Sequence, residues 1–168
     1  HLGHLLWAGP QRARQLYFVD DMCAQTSGGQ PALCDVNVDH TLGYYHREGD
    51  SEQPTWSSIG AATLPGTVQQ NTATIAAADG SSLYTYGIAV AAARIVECTF
   101  PLPAGPAACN YLPFVLPPFS NYIGAAISPD GFRLVWWTVV SDGGGGSFHY
   151  IVDYGGGWNG PRSGGAAG

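Results

Sequence analysis

The stretch SPDGFRLVWWTVVSDGGGGSFHYIVD, residues 128–153, decides the fold. Asp130-Gly131 tolerates the left-handed backbone that reverses a chain tightly. Phe132 to Val140 then supplies β-branched and aromatic residues suited to a pleated, half-buried surface. A glycine run, Gly143–Gly146, can link this strand to a second one, Phe148-His149-Tyr150-Ile151-Val152-Asp153. The unit is a β-hairpin with an Asp-Gly entry turn. One such hairpin cannot bury its own apolar face and must stack on a neighbour.

Two further stretches share this layout. Asp79-Gly80-Ser81-Ser82-Leu83-Tyr84-Thr85-Tyr86 and Asp39-His40-Thr41-Leu42-Gly43-Tyr44-Tyr45 each place a turn before an apolar-aromatic strand, and Leu5-Leu6-Trp7 reads as a truncated fourth copy. Aligned on Leu5, Leu42, Leu83 and Leu134, the copies are 37, 41 and 51 residues apart. Those spacings bracket the ~40–50 residue period of propeller blades. A second recurring signature is an apolar run closed by an acid: Tyr17–Asp20, Arg94–Glu97 and Tyr150–Asp153. The segments 11–25 and 88–97 are compatible with helix or strand, and we read both as strands. In the first, Arg12 and Arg14 at the start and Asp20 and Asp21 at the end oppose a helix dipole. The expected architecture is all-β, made of repeated antiparallel four-stranded units at about 1–34, 35–75, 76–109 and 124–160, propeller-like and stapled by disulfides.

Residues 128–153 resemble the WD40-like, TolB-type β-propeller repeat: a Ser-Pro-Asp-Gly turn, a strand, a Gly-rich connection, and a second strand ending in Val-Asp. The copies at Asp79 and Asp39 are degenerate, the first lacking Ser-Pro and the second lacking Gly as well. The resemblance implies a radial array of four-stranded sheets used as a binding platform, in bacteria often periplasmic or secreted. Four blades are fewer than that type usually has. Residues 1–168 therefore read as a single small domain or as part of a larger propeller.

The chain has 168 residues, 45% of them apolar and 11% charged, with a formal charge of −6. So low a charged fraction excludes charge-rich disorder and a coiled coil. All six basic residues are Arg. The chain thus lacks the basic stripe of a generic nucleic-acid binder, and it has no lysine for a Walker loop or a Schiff base. No apolar run reaches the ~20 residues of a membrane span, since Arg94 interrupts the best candidate, Gly87–Val96. No secretory signal is present and the one Met is Met22, so the chain reads as a processed or excised product. Cys23 and Cys34 are 11 apart, as are Cys98 and Cys109, within alignable loops. That pattern favours Cys23–Cys34 and Cys98–Cys109 disulfides, hence a secreted, cell-surface or periplasmic location.

Few residues point to chemistry. Asp35-Val-Asn37-Val-Asp39 begins like a calcium loop, but His40 replaces the required Gly and His46 the closing Glu. We read it as a polar-faced strand and expect no calcium. His40, His46, Glu48 and Asp50 cluster in sequence without a metal-site spacing and read as a solvated loop. The alternative cofactor is copper. The amine and ring of His1 could form a brace with one of His40, His46 or His149; His4 lies too near in sequence to serve easily. There is no nucleophile elbow around Ser147.

Aromatics are the remaining binding candidates: Trp158 in its Gly-rich loop, Tyr154, Trp137 and Tyr45. The sequence thus leads to a non-catalytic extracellular or periplasmic binding or scaffold module. Its ligand would be a protein or a glycan, and no resident cofactor is expected. A secreted carbohydrate-active copper enzyme, or a β-rich lectin or shell protein, is the alternative. Open blade faces near Leu5–Trp7 and Leu134–Trp137 should take further blades or a second copy.

Overall fold

The computed structural model describes residues 3–10, 12–22, 41–49, 55–69, 71–140 and 145–166. They form twelve strands and, among the described residues, no helix. The first sheet is β1 (Gly3–Ala8), β2 (Gln15–Asp20), β3 (Thr41–Glu48) and β4 (Thr55–Thr63). The second is β5 (Thr72–Ala76), β6 (Ser82–Ala89), β7 (Arg94–Pro101) and β8 (Ala108–Tyr111). The third is β9 (Ser120–Ile127), β10 (Arg133–Val140), β11 (Gly146–Asp153) and β12 (Trp158–Ala166). Each sheet is an antiparallel meander in chain order, and none closes on itself. The expected all-β architecture of four-stranded antiparallel units is what the chain adopts.

The described units number three, where the leucine spacing suggested four. Segments 1–34 and 35–75 contribute β1–β2 and β3–β4 to one sheet, because β3 pairs directly with β2 (Phe18 opposite Tyr45). Leu5, Leu42, Leu83 and Leu134 therefore lie on β1, β3, β6 and β10 and are not equivalent. Even Leu83 and Leu134, both following an Asp-Gly turn, differ. The turn between β5 and β6 is bracketed by Ala77 N–H donating to Ser82 O; the turn between β9 and β10 is bracketed by Ser128 N–H donating to Phe132 O. The second is one residue shorter. A one-residue slip moves every following side chain to the other face. Leu83 accordingly occupies the position of Arg133, and Tyr84 that of Leu134.

The second sheet lies between the other two. Along β6 and β7 its residues alternate between two interfaces. Leu83, Val96, Cys98 and Phe100 pack with Val19, Leu42 and Tyr44 of the first sheet. Tyr86, Ile88 and Ile95 pack with Val135, Trp137 and Ile151 of the third. Packing on both faces leaves every residue of β6 from Thr85 to Ala89 buried. The Tyr44 hydroxyl lies 3.1 Å from Pro101 O and 3.2 Å from Gly105 O, donating across the first interface. The opening strands of the sheets sit side by side, β5 touching β1 on one flank and β9 on the other.

Cys98 and Cys109 face each other across β7 and β8 and are disulfide-bonded, as the spacing predicts. Cys23 and Cys34 lie outside the described residues, as do Asp35, Asn37 and Asp39. Replacing Cys98 and Cys109 together by Ala should lower stability by about 2–3 kcal/mol, the loop-closure value for a ring of this length. Urea unfolding of the oxidised and doubly substituted chains would measure it.

Candidate functional site

Two kinds of feature compete for a functional role: a polar knot between the second and third sheets, and apolar surface left open at the ends of the stack. The knot is centred on Arg133, at the start of β10. Its guanidinium donates to Glu97 Oε2 at 2.9 Å, Asp153 Oδ2 at 3.0 Å and the Tyr86 hydroxyl at 3.1 Å. It also stacks 4.3 Å above the Tyr84 ring and 5.0 Å above that of Trp158. Burial pushes the Asp153 carboxyl up. The Gly155 and Gly157 amides and Arg133 outweigh that effect and hold it below its ordinary value. Burial, then the neighbouring Glu97 carboxylate, drives the Tyr86 phenol far above its ordinary value, so it stays protonated. Glu97 and Asp153 are two of the acids that close an apolar run in the sequence. The third, Asp20, accepts from the Gly43 amide at 2.8 Å instead. The knot joins Tyr86 and Glu97 of the second sheet to Arg133 and Asp153 of the third.

The back of the first sheet, the face turned away from the second, carries exposed apolar side chains among the described residues. Leu5 and Trp7 are 62% and 58% exposed, and Leu5, Phe18, Tyr45 and Trp56 line a groove of about 320 Å³. Phe18 lies over Gly3, at a place where a Cβ would collide with the ring. The front of the third sheet mirrors this. Leu134, Trp136, Thr138, Phe148 and Tyr150 line a groove of about 570 Å³. Trp136 lies flat over Gly124, its partner on β9, and Phe148 over Gly164. Glycine beneath a large ring lets that ring cover the sheet backbone.

A third concave surface, about 700 Å³, lies among the turn at Val90–Ala93, the 112–119 loop and the end of β10; Leu116, Pro117, Phe119, Asn121 and Val140 contribute to it. Beside it, Phe119 (φ 64°) and Tyr122 (φ 56°) hold left-handed backbone while their rings stand 71% and 60% exposed. Tyr122 is the extra residue of a β-bulge opposite Trp137. Bulky residues in that region are strained, and bulges re-aim side chains. Nothing in the sequence marks Phe119 or Tyr122, because neither is a residue type that favours left-handed backbone.

The aromatics singled out from the sequence are dispersed. Trp137 is fully buried against the second sheet and stacked on His149, with ring centroids 6.0 Å apart; a binding role for it is overturned. Its neighbour Trp136 faces outward. Trp158 stands at the start of β12 rather than in a loop. Asp153 accepts from the amides of Gly155 and Gly157, turning the chain back so that Trp158 pairs with Asp153 and meets Tyr86 edge-on. Tyr154 is exposed and packs edge-on against Phe132. Tyr45 belongs to the back groove of the first sheet. His1 and His40 lie outside the described residues. His46 is paired with Gln15 (2.9 Å), and His149 with Ser147 (2.9 Å) on another sheet. Among the described residues no three His, Cys, Asp or Glu side chains converge as a metal site, and no helix is long and apolar enough to cross a membrane. The chain matches no family model and no curated protein.

Proposed function

We propose that the chain is a non-catalytic binding or scaffold module of an oxidising compartment, extracellular or periplasmic, built as a propeller-like array of sheets. The observation that carries this reading is the pair of aromatic grooves on the outer faces of the end sheets. Exposed aromatic side chains gathered on a sheet face are candidates for contact with another surface. The Cys98–Cys109 bond supports an oxidising compartment. The stacking of meanders with adjacent opening strands supports the propeller-like description. In this role the end faces take further β-sheet, and the sheets themselves serve as a rigid spacer.

Sedimentation velocity over a wide concentration range tests the reading. The chain should associate reversibly, and Leu5→Glu should weaken that association without changing the far-ultraviolet circular dichroism. A monomer at every concentration overturns it. A second reading, glycan or peptide binding, is favoured by the strained, exposed Phe119 and Tyr122 beside their groove. A glycan array that binds the chain and loses its signal with Phe119→Ala would establish that reading; an unchanged signal would dismiss the groove.

A further inference from the structure

We propose that the concave surface shared by the second and third sheets is a binding site for an uncharged peptide segment carrying an apolar side chain. The inference rests on the groove reading above and names its ligand. The site belongs to two sheets that are already packed together.

The lining sets the chemistry. Ile88, Val90, Leu116 and Val140 give the groove an apolar wall, and a volume of about 700 Å³ suits a ligand of a few residues. A sugar carries hydroxyls on every edge and would lose their water against such a wall. The polar groups of the groove are few and oriented. Asn121 Oδ1 accepts from the Tyr122 amide at 2.8 Å and from Asn71 Nδ2 at 3.4 Å. Those bonds identify the oxygen and leave Asn121 Nδ2 as a donor. Gln69 Nε2 donates to Ser120 O at 2.9 Å, which leaves Gln69 Oε1 as an acceptor. That oxygen is buried and meets no donor among the described residues. Buried acceptors are seldom left so, and each calls for a partner.

Gln69 and Asn121 both line the groove, and Gln69 is bonded to the residue before Asn121. The groove therefore offers one donor and one acceptor close together beside an apolar wall. A peptide group is the complement. Its carbonyl accepts from Asn121 Nδ2, its N–H donates to Gln69 Oε1, and the adjoining side chain enters the apolar part.

The rings at the groove add to this. Phe119 lines it and Tyr122 stands beside it, at φ 64° and 56° and 71% and 60% exposed. Strain of that kind persists only where the surroundings impose it, and it gathers at ligand clamps. Rings so exposed gain little packing within the chain. A ligand in the groove would lie against Phe119.

Titration of the isotope-labelled chain with acetyl-Gly-Leu-Gly-amide, followed by NMR, tests the proposal. The side-chain amides of Gln69 and Asn121 and the backbone amides from Phe119 to Tyr122 should shift together and saturate. Acetyl-Gly-Ser-Gly-amide should bind about tenfold more weakly, for want of one buried leucine side chain. Asn121→Asp keeps the acceptor for the Tyr122 amide and removes the donor, and should weaken peptide binding about tenfold. Phe119→Gly should abolish saturation yet keep or raise the melting temperature, because glycine holds left-handed backbone without strain. A fall in melting temperature would show that the ring is held for packing and overturn the proposal. If Asn121→Asp misfolds, Tyr122→Gly replaces it, with the same expectation as Phe119→Gly. Equal affinity for the two peptides would also overturn the proposal, as would shifts confined to other residues. Cellotriose shifting these signals in place of the peptide would overturn it while leaving the groove reading intact. No shift with either probe would overturn both.

Discussion

Arg133→Ala should lower the unfolding free energy by about 3–5 kcal/mol, the cost of breaking a buried ion pair from one side. The side chains of Arg133, Glu97 and Asp153 keep only 16%, 16% and 12% of their exposure, so removing the cation strands two carboxylates between sheets. It also removes the guanidinium from above Tyr84 and Trp158. Urea unfolding should show the midpoint fall with an unchanged slope. Adding Glu97→Gln and Asp153→Asn to the Arg133→Ala chain should recover part of the loss, because neutral amides are cheaper to bury than unpaired charge. A loss below 1 kcal/mol would mean that the sheets are aligned by apolar packing alone.

The same knot sets a pH dependence. The folded Asp153 carboxyl sits below its ordinary value. Such a group contributes stability that is fully present above its unfolded pKa, about 4, and is lost as pH falls through the folded value. Thermal unfolding of the wild type should therefore weaken below about pH 4, and Asp153→Asn should flatten that limb of the curve.

Trp137→Ala should cost about 3–5 kcal/mol as well, for a different reason. The indole is the largest fully buried side chain and fills the second interface between Tyr86, Val135 and Ile151. Its Nε1 has no hydrogen-bond partner among the described residues. Trp137→Phe should then cost much less than the alanine change, since it retains most of the packing and discards an unmet donor. Trp136→Ala, one residue away, should cost less still and act on association instead. Calorimetry on the three variants would rank them. Equal losses for the Trp136 and Trp137 alanine variants would contradict the assignment of faces.

That contrast also shows how far the sequence could be read. Composition, the Asp-Gly turns and the β-branched runs led to an all-β chain of four-stranded units, and matched spacing led to the Cys98–Cys109 bond. Adjacent strand residues point to opposite faces, so one of Trp136 and Trp137 had to be core. Which one depends on a turn one residue shorter than its counterpart, and hydrogen bonds define that length, not residue types. Aligning on leucine pairs Leu83, fully buried, with Leu134, which lines an outer groove. The grouping of β1–β2 with β3–β4 was equally hidden, because pairing between them is long-range and carries no local signature. Trp158 was misplaced because a run of glycines suggests a loose loop, whereas Asp153 gathers two of those amides into a tight return. The grooves depend on how whole sheets stack, which no short motif encodes.

The position of the second sheet bears on how the chain holds together as a whole. Its strands β6 and β7 are buried on both faces, so neither neighbour can leave without wetting a layer of them. Stability is thus shared between nearest neighbours, as in a stack of repeats. Among the described residues the first and third sheets are each packed against one neighbour, and fraying is expected to begin there. A partner docked on an end sheet would suppress that fraying. Assembly and folding are then two stages of one cooperative process, and each added sheet converts a fraying end into an interior.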